Sequence, residues 1–244
     1  MVMSTPFLKI DNLSKHFDGI QAVDNLSMTV DAHEIVGLIG PNGAGKTTLF
    51  QLISGFEQPD SGTILFNGQA IHYLSASKVA RLGIARTFQT AQPFANLTVL
   101  ENVMMGFLRK GQSIPQAQKS ALDTLEHLNL NDQSNQLADH LSLPNKKRLE
   151  IARALSINPQ LVLLDEVMAG LRPLEIDNLV VMLRQLKHQL NLTIIMIEHH
   201  MRAVMAFCQR IVVLHQGVKI AEDTPAAIQR HPEVIKTYLG TSAC

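Results

Sequence analysis

The segment Gly40-Pro41-Asn42-Gly43-Ala44-Gly45-Lys46-Thr47-Thr48 is the strongest structural signal in this chain of 244 residues. It fits the pattern G-x-x-x-x-G-K-[ST] of phosphate-binding loops. The residues before it, Glu34 to Ile39, are a short apolar run that predicts a buried strand. The residues after it, up to Ile53, predict a helix. A glycine-rich turn without phosphate chemistry is the alternative, and the flanking strand and helix favour the phosphate loop.

Polyphosphate binding explains why these residue types occur together. Glycines let backbone N–H groups turn inward around phosphate oxygens, at the positive end of the helix dipole. Lys46 can reach the β- and γ-phosphates, and the hydroxyl of Thr47 can bind Mg²⁺. The sequence therefore predicts a site for a nucleoside triphosphate and magnesium, formed by the residues from Gly40 to Thr48.

Composition excludes several classes of protein. Lys+Arg and Asp+Glu both total 21, so the zero net charge gives no electrostatic case for a nucleic-acid partner. The two cysteines, Cys208 and Cys244, are too few for a disulfide framework and lack the spacing of metal ligands. We see no signal peptide and no apolar run near the roughly 20 residues that span a bilayer. The sequence therefore predicts a cytosolic protein that reaches a membrane only through a partner.

Alternating strand and helix patterns predict an α/β protein. Residues 7–17, 22–30 and 63–66 predict an antiparallel sheet, in which Asn67-Gly68 marks a hairpin. From about residue 93 to 157 the pattern is helical with few β signals, which predicts a helical insertion. Further strands are predicted at 84–89, 160–165, 192–197, 211–214 and 218–220, and helices at 75–82, 99–108, 115–130, 146–155, 173–190, 201–208, 225–230 and 232–239.

Polar side chains follow the predicted parallel strands at their carboxyl ends. In an open α/β sheet, ligands bind in the crevice at that edge, so we expect these groups to meet Lys46 there. Asp165 would hold Mg²⁺ through water, and Glu166 would polarise the attacking water as a general base. Gln89 would contact the metal or the water, and His199 would contact the γ-phosphate. This arrangement predicts hydrolysis of the triphosphate.

Three features have a simpler explanation that the residues alone do not exclude. Phe17 stands just before a turn, and its ring could stack on a nucleotide base or pack in the small sheet; packing is favoured. Of the neighbours His199 and His200, we expect only one to face the site, because adjacent residues point in different directions. The run Lys146-Lys147-Arg148 predicts a solvated helix face.

With these residues in place, the chain resembles an ABC-type ATPase domain over nearly its full length. The phosphate loop, Gln89, a helical insertion, a Leu-Ser element, Leu-Leu-Asp-Glu and a strand-end histidine follow the family's order. The resemblance implies a single domain over residues 4–244. Its core would be a RecA-like, mostly parallel sheet with an antiparallel β subdomain, and a helical subdomain at about 93–157 would be inserted. It also implies that Phe17 stacks on the adenine of ATP and that Ser142 belongs to the signature element.

Finer features resemble the ATP-binding subunits of branched-chain amino-acid importers. They are the segments 86–89, 148–155, 169–171, 197–199, 232–235 and 238–240. The resemblance implies a second ATPase subunit, with each signature closing over the other's phosphate loop. It also implies two integral membrane permease subunits and a separate substrate-binding protein. The chain would then be cytoplasmic, on the inner face of the membrane through the permeases, with no insertion of its own.

Two departures from the family's pattern stand out. The usual signature is Leu-Ser-Gly-Gly-Gln, whereas here Leu143 and Pro144 replace the glycines. Proline has no N–H, and a leucine side chain hinders close approach of the backbone. The loop after Glu166 usually carries Ser-Ala-Leu-Asp, and here it reads Ala169 to Arg172. We hypothesise that the partner is a different ATPase subunit and that this signature closes the weaker site; a homodimer is the alternative.

Two other functions are compatible with an ABC-type ATPase. One is a soluble ATPase in assembly or repair, against which the absence of a long coiled-coil insert counts. The other is a nucleotide-binding regulatory subunit with little turnover, against which Glu166 and His199 count. A small-molecule phosphate-loop kinase would not need the Leu-Ser element, the distant acid pair and the histidine together.

Overall fold

A computed structural model describes residues 6–88 and 93–239 of the chain, which divides into two compact units. The first unit holds Met1–Val79 and Thr193–Cys244, and the second holds Ala80–Leu192. The strands are β1 (Leu8–Phe17), β2 (Ile20–Val30), β3 (Ile35–Ile39), β4 (Ser61–Phe66), β5 (Gln69–Ala70), β6 (Ile84–Arg86), β7 (Leu161–Asp165), β8 (Thr193–Ile197), β9 (Arg210–His215) and β10 (Val218–Asp223). The helices are α1 (Lys46–Ile53), α2 (Ala76–Arg81), α3 (Val99–Arg109), α4 (Ile114–His127), α5 (Leu143–Leu155), α6 (Pro173–Gln189), α7 (Met201–Phe207), α8 (Pro225–Ile228) and α9 (Pro232–Leu239).

An antiparallel sheet in the first unit has the order β2-β1-β4-β5. Leu8 pairs with Val30 of β2 and with Phe66 of β4, and it is fully buried. The β4–β5 hairpin turns at Asn67-Gly68, where both residues have positive φ, 49° and 77°. Asparagine and glycine tolerate this conformation best, which is why the dipeptide is a strong hairpin signal. The predicted antiparallel sheet and its hairpin are confirmed.

The first unit also contains the strands β10-β9-β3-β8 in that order. β3 runs parallel to both β8 and β9, and β9 pairs with β10 in antiparallel fashion. Every residue of β3 and β8 is buried, as expected of apolar runs in the middle of a sheet. Helix α7 packs closely on β3: a Cβ on Gly37 would lie 3.2 Å from Cγ1 of Val204 and 2.9 Å from Sγ of Cys208, the C-cap residue of the helix.

The second unit contains the parallel pair β6 and β7 together with α3, α4, α5 and α6. α3 begins with a capping box, in which the Thr98 hydroxyl accepts from the N–H of Glu101 and the Glu101 carboxylate accepts from Thr98. α5 begins at Leu143, three residues before the predicted start, because Ser142 is its N-cap and Pro144 fits the first helical turn. β6 ends at Arg86 and not at residue 89. That these helices form one inserted subdomain, and that the chain is a single domain, stay predictions.

Within the described residues, no helix combines the length and the apolar character that crossing a bilayer requires.

Candidate nucleotide site

The phosphate loop joins β3 to α1 in the first unit, and two of its positions admit only glycine. Gly45 has a φ of +97°, and a Cβ there would lie 2.1 Å from the carbonyl oxygen of Ala22. A Cβ on Gly40 would lie 2.2 Å from the carbonyl oxygen of Leu214. The loop backbone is thus packed against β2 and β9, which fixes its path.

The N-terminus of α1 is suited to an anion. Gly45 is its N-cap in the left-handed conformation, so no cap side chain among the described residues bonds the first-turn amides. The first turn contains no acidic residue, which leaves the positive end of the helix dipole uncompensated there. Thr47 is exposed in this turn. These are the features that phosphate groups require at a helix N-terminus.

The ammonium group of Lys46 lies back across the loop. Its Nζ donates to the carbonyl oxygens of Gly40 at 2.8 Å and of Pro41 at 3.0 Å, and the residue is 6% exposed. A buried ammonium needs such partners, and phosphate oxygens are stronger acceptors than carbonyls. The loop therefore presents one positive charge and a row of amides to the same small volume.

A second turn supports the loop from the other side, and sequence reasoning missed this role. The N–H of Gly217 donates to the carbonyl oxygen of Ala44 at 3.1 Å, and the N–H of Asp24 donates to the carbonyl oxygen of Gly217 at 2.9 Å. The sequence signal for a turn was present at Gln216-Gly217, but nothing local connects it to residue 44. The pairing depends on how the chain folds back.

Phe17 ends β1, and its side chain is partly exposed. The residue is 38% exposed, and Nζ of Lys15 lies 5.0 Å from the ring centroid. An exposed aromatic face beside a cation is compatible with stacking on a base, which stays a prediction.

His199 follows β8 in the first unit, after the buried residue Glu198. Both His199 and His200 are exposed, and His200 is the N-cap residue of α7. We expected only one of the two histidines to face the site. Because both are exposed, exposure does not show which one it is.

Asp165 ends β7 in the second unit and is held by two residues that sequence reasoning missed. Its Oδ2 accepts from Nη2 of Arg86 at 2.9 Å, and its backbone N–H donates to the hydroxyl of Thr87 at 2.9 Å. The N–H of Thr87 in turn donates to the carbonyl oxygen of Leu163 at 2.9 Å. The carboxylate is thus fixed in direction by the end of the neighbouring strand β6.

Glu166 has a left-handed backbone, with a φ of +50°. This conformation is strained for a residue with a side chain and persists only where the surroundings impose it. Its carbonyl oxygen accepts from Nζ of Lys147 at 3.3 Å and from the N–H of Ala169 at 3.2 Å. Lys147 is 4% exposed, so the prediction of a solvated face was wrong at this residue, because it lies on the buried side of α5.

Ser142 is the exposed N-cap of α5, and no capping bond from its side chain is seen in the described part of the chain. The side chain of Leu143 is 46% exposed, and its Cδ2 lies 3.1 Å from the position of a Cβ on Gly170. The two departures from the usual pattern are therefore in contact: the added leucine covers a position that has no side chain.

Gln89 lies outside the described residues. The residue before it, Phe88, donates its backbone N–H to Oε1 of Glu150 on α5. The phosphate loop, Phe17 and His199 belong to the first unit, and Asp165, Glu166 and Ser142 belong to the second. In residues 6–88 and 93–239, no three histidine, cysteine, aspartate or glutamate side chains group as metal ligands.

The sequence matches the family model described as ABC transporter over residues 23–169. The high-affinity branched-chain amino acid transport ATP-binding protein LivG of Escherichia coli K12 is 40% identical over 253 aligned residues. The alignment covers 98% of this chain and 99% of LivG. This chain belongs to the ABC transporter family. A second family model, described as branched-chain amino acid ATP-binding cassette transporter, matches residues 218–243.

Solved structures confirm the ABC cassette fold. The ADP conformation of MJ1267, an ATP-binding cassette of an ABC transporter, matches with a TM-score of 0.88 and 31% identity, covering 97% of this chain and 100% of that one. The dimeric post-hydrolysis state of the cassette MJ0796, bound to ADP and Pi, matches with a TM-score of 0.80 and 26% identity, covering 89% and 98%. The predicted fold class, with its parallel strands, antiparallel sheet and helices, is confirmed.

The predicted activity of this ABC protein is confirmed with the family: it is an ATPase whose hydrolysis is coupled to transport. ABC cassettes bind ATP, dimerise and work with membrane permease subunits. The transport function is supported over the alternatives of an assembly or repair ATPase and of a regulatory subunit with little turnover.

Proposed function

We propose that this chain energises an ABC importer for branched-chain or similar small amino acids. The observation that carries the proposal is the 40% identity to LivG over nearly the whole of both chains. The match of residues 218–243 to the branched-chain amino acid model supports it independently, because that segment lies outside the general ABC match at residues 23–169. The chain would be cytoplasmic, on the inner face of the membrane, and held there by the permease subunits.

The phosphate loop and Phe17 would bind ATP. Lys46 would exchange its two carbonyl acceptors for β- and γ-phosphate oxygens, and amides of residues 40–48 would surround the phosphates. The ring of Phe17 would stack on adenine with its exposed side. The glycine positions closed to any Cβ and the uncapped start of α1 fit a polyphosphate.

Mg²⁺ would be bound by oxygen ligands, namely the hydroxyl of Thr47, the side chain of Gln89 and, through water, the carboxylate of Asp165. When bound, the ion neutralises charge on the β- and γ-phosphates. These residues fit a magnesium ion, because hard cations bind hydroxyl and carboxylate oxygens. The carboxylate of Asp165 is also already oriented by Arg86 and Thr87.

Glu166 would accept the proton of the attacking water, and His199 would contact the γ-phosphate. Phosphoryl transfer depends mainly on positioning and charge stabilisation, so the imposed backbone of Glu166 supports its role as the base. Ser142 would act on the nucleotide bound by a second ATPase subunit. We propose that this subunit is a different chain, because Leu143 and Pro144 alter the surface that this signature offers.

Uptake in the cells that make this chain tests the transported solute. Deletion of the chain should abolish uptake of labelled leucine, isoleucine and valine, while uptake of arginine serves as the control. Wild type should restore uptake, and Glu166→Gln should not. Restoration of uptake by Glu166→Gln, or loss of uptake of a different solute alone, would overturn the proposal.

Unequal effects of matched mutations test the asymmetry. Glu166→Gln is introduced into this chain, and the equivalent change into the second ATPase subunit, and the ATPase rate of each complex is measured. We expect the change in this chain to cause the larger loss. Equal losses from the two changes would argue against two unlike sites.

A further inference from the structure

The ring of Phe17 has a cation from its own strand against it. Nζ of Lys15 lies 5.0 Å from the ring centroid, and the two residues are two positions apart on β1, so their side chains leave the strand on the same side. An ammonium over an aromatic face is attracted by the negative π cloud of the ring. The ring is therefore restrained on the side of Lys15, while 38% of the residue stays exposed to solvent.

Lys15 is itself held by the turn that follows α1. Its Nζ lies 3.4 Å from Oδ1 of Asp60 and 3.8 Å from Oε2 of Glu57, and its side chain is 14% exposed. The backbones are joined as well: the N–H of Asp60 donates to the carbonyl oxygen of Ser14 at 2.9 Å, and Oδ2 of Asp60 accepts the N–H of His16 at 2.6 Å. Asp60 thus fixes the strand on both sides of Lys15, and the ammonium has a defined position.

The same turn is tied to the helix of the phosphate loop. The carbonyl oxygen of Gln51 in α1 accepts the N–H groups of Phe56 at 2.9 Å and of Glu57 at 3.2 Å. Glu57 therefore connects the last turns of α1 to Lys15, and the first residue of that helix is Lys46. All these contacts lie within the first unit, so one helix holds both the phosphate loop and the cation beside the ring.

Strand β2 brings the end of β1 up to the phosphate loop. Phe17 pairs with Ile20 of β2, two residues before Ala22. The carbonyl oxygen of Ala22 lies against Gly45, where a Cβ would come within 2.1 Å of it. The backbone that carries the ring is thus fixed relative to the loop. This backbone contact does not set the rotation of the ring, and the ammonium of Lys15 is placed to restrain that rotation.

We propose that Lys15 is a positioning residue for the nucleotide base: it holds the ring of Phe17 in a fixed orientation relative to the phosphate loop. This inference rests on the proposed function for the role of Phe17. A base and a triphosphate are joined in one molecule, so both bind well only if ring and loop are correctly placed beforehand. Ion pairs as long and as partly exposed as those of Lys15 contribute little to stability, so the carboxylates of Glu57 and Asp60 serve to place the ammonium.

Equilibrium binding to the full chain separates the base from the phosphates. Lys15→Met should raise the Kd for Mg²⁺-ATP about fivefold and leave the Kd for Mg²⁺-tripolyphosphate, which has no base, within about twofold of wild type. Lys15→Arg, which keeps a cation that can lie over the ring, should stay within about twofold for both ligands. An equal rise for the two ligands in Lys15→Met, or no rise for Mg²⁺-ATP, would overturn the proposal.

Lys9→Met is the matched control on the same strand. It removes an ion pair with Asp11 in which the two side chains are 43% and 46% exposed. The Kd for Mg²⁺-ATP should therefore stay within about twofold of wild type. A rise in Kd as large as that in Lys15→Met would show that any loss of a lysine from β1 weakens binding, which would overturn the specific role of Lys15.

The Phe17→Ala background tests whether Lys15 acts through the ring. Phe17→Ala should itself weaken binding of Mg²⁺-ATP, and adding Lys15→Met should then change the Kd by less than about twofold, because the shared contact is already gone. The same fivefold effect with and without the ring would overturn the inference and leave the proposed function standing. Binding of Mg²⁺-ATP by Phe17→Ala as tight as that of wild type would instead overturn the proposed stacking role of Phe17.

An indole reporter checks the contact in the protein without nucleotide. The chain contains no tryptophan, so Phe17→Trp introduces a single indole at this position. Adding Lys15→Met should cause a loss of fluorescence anisotropy, because the ring loses its restraint, whereas adding Lys9→Met should leave the anisotropy unchanged. Equal anisotropy in the three proteins would overturn the proposal that Lys15 holds the ring, whatever the result for Mg²⁺-ATP.

Discussion

Arg86 and Asp165 form a buried ion pair between the ends of β6 and β7. Nη2 of Arg86 lies 2.9 Å from Oδ2 of Asp165, and the two side chains are 8% and 2% exposed. Two charges withdrawn from water in this way depend on each other, because removing one leaves the other buried with less compensation. The carboxylate that we assign to magnesium is therefore oriented by a cation from the strand that leads toward Gln89.

Removal of the arginine should destabilise the protein strongly. Arg86→Ala leaves the carboxylate of Asp165 without its ion-pair partner, so we expect the free energy of unfolding to fall by about 3 kcal/mol or more. Urea denaturation measures this. Arg148→Ala, at a partly exposed arginine of the second unit, should change the value by less than about 0.5 kcal/mol. If Arg86→Ala lowered the free energy of unfolding no more than the control variant does, the two charges would not depend on each other.

A methyl group in the phosphate loop should weaken nucleotide binding. In Gly45→Ala the new Cβ would lie 2.1 Å from the carbonyl oxygen of Ala22, which forces the loop to move. We expect the Kd for ATP to rise at least about tenfold, since small misplacements of binding groups are costly. Isothermal titration measures it.

Gly68→Ala is the control for backbone conformation. Its φ of +77° carries the same left-handed cost of about 1–2 kcal/mol, but no described atom lies within 4 Å of the new Cβ. Stability should fall while the Kd for ATP stays within about twofold of wild type. A rise in Kd shared by both variants would mean that the contact with Ala22 is irrelevant.

The buried lysine of α5 should affect turnover more than binding. Lys147→Met removes the ammonium that donates to the carbonyl oxygen of Glu166, so the left-handed backbone of Glu166 loses one of the contacts that hold it. We expect kcat to fall about tenfold with little change in KM, as for a misplaced general base. Lys146→Met, which breaks only an exposed ion pair, should retain kcat. Equal rates in the two variants would contradict the role of Lys147.

The thiol of Cys208 should make stability depend on pH in the alkaline range. Burial, with a smaller contribution from Glu198, raises its pKa from 9.0 to about 12. The unfolded chain therefore loses this proton near pH 9, while the folded chain keeps it. The contribution of this thiol to the free energy of unfolding is complete below pH 9 and is lost as the pH rises toward 12. The free energy of unfolding falls there by up to about 1.4 kcal/mol per pH unit.

Denaturation between pH 8 and 10.5 checks this slope in a Cys244→Ser background, so that only one thiol titrates. The loss of stability on raising the pH should be smaller in Cys208→Ala than in its parent. Parallel curves for the two proteins would show that the thiol does not contribute.

Local sequence patterns were enough to predict the elements whose causes are local. The apolar run before Gly40 is a fully buried strand, and Asn67-Gly68 turns a hairpin, because burial and backbone preference act there over a few residues. The start of α5 at Leu143 was also encoded locally, by Ser142 and Pro144, although we predicted it three residues late. Helix ends are set by caps, and these signals were present.

Contacts across large sequence separations could not be predicted in the same way. Arg86 and Asp165 are 79 positions apart, and Phe88 and Glu150 are 62 apart. Lys147 was assigned to solvent because charged runs usually are, yet the buried side of α5 passes through it together with Glu150, Ile151 and Ala154. Which face of a helix is covered depends on the elements that pack against it in space. A single sequence does not say which elements those are.

The contact between Leu143 and Gly170 has a consequence for how this lineage varies. Because the leucine occupies the space above a residue without a side chain, the two positions should change together over evolutionary time. Gly170 also has a φ of +80°, so its backbone and the leucine both favour glycine there, and chains that carry alanine at 170 should have a small residue at 143.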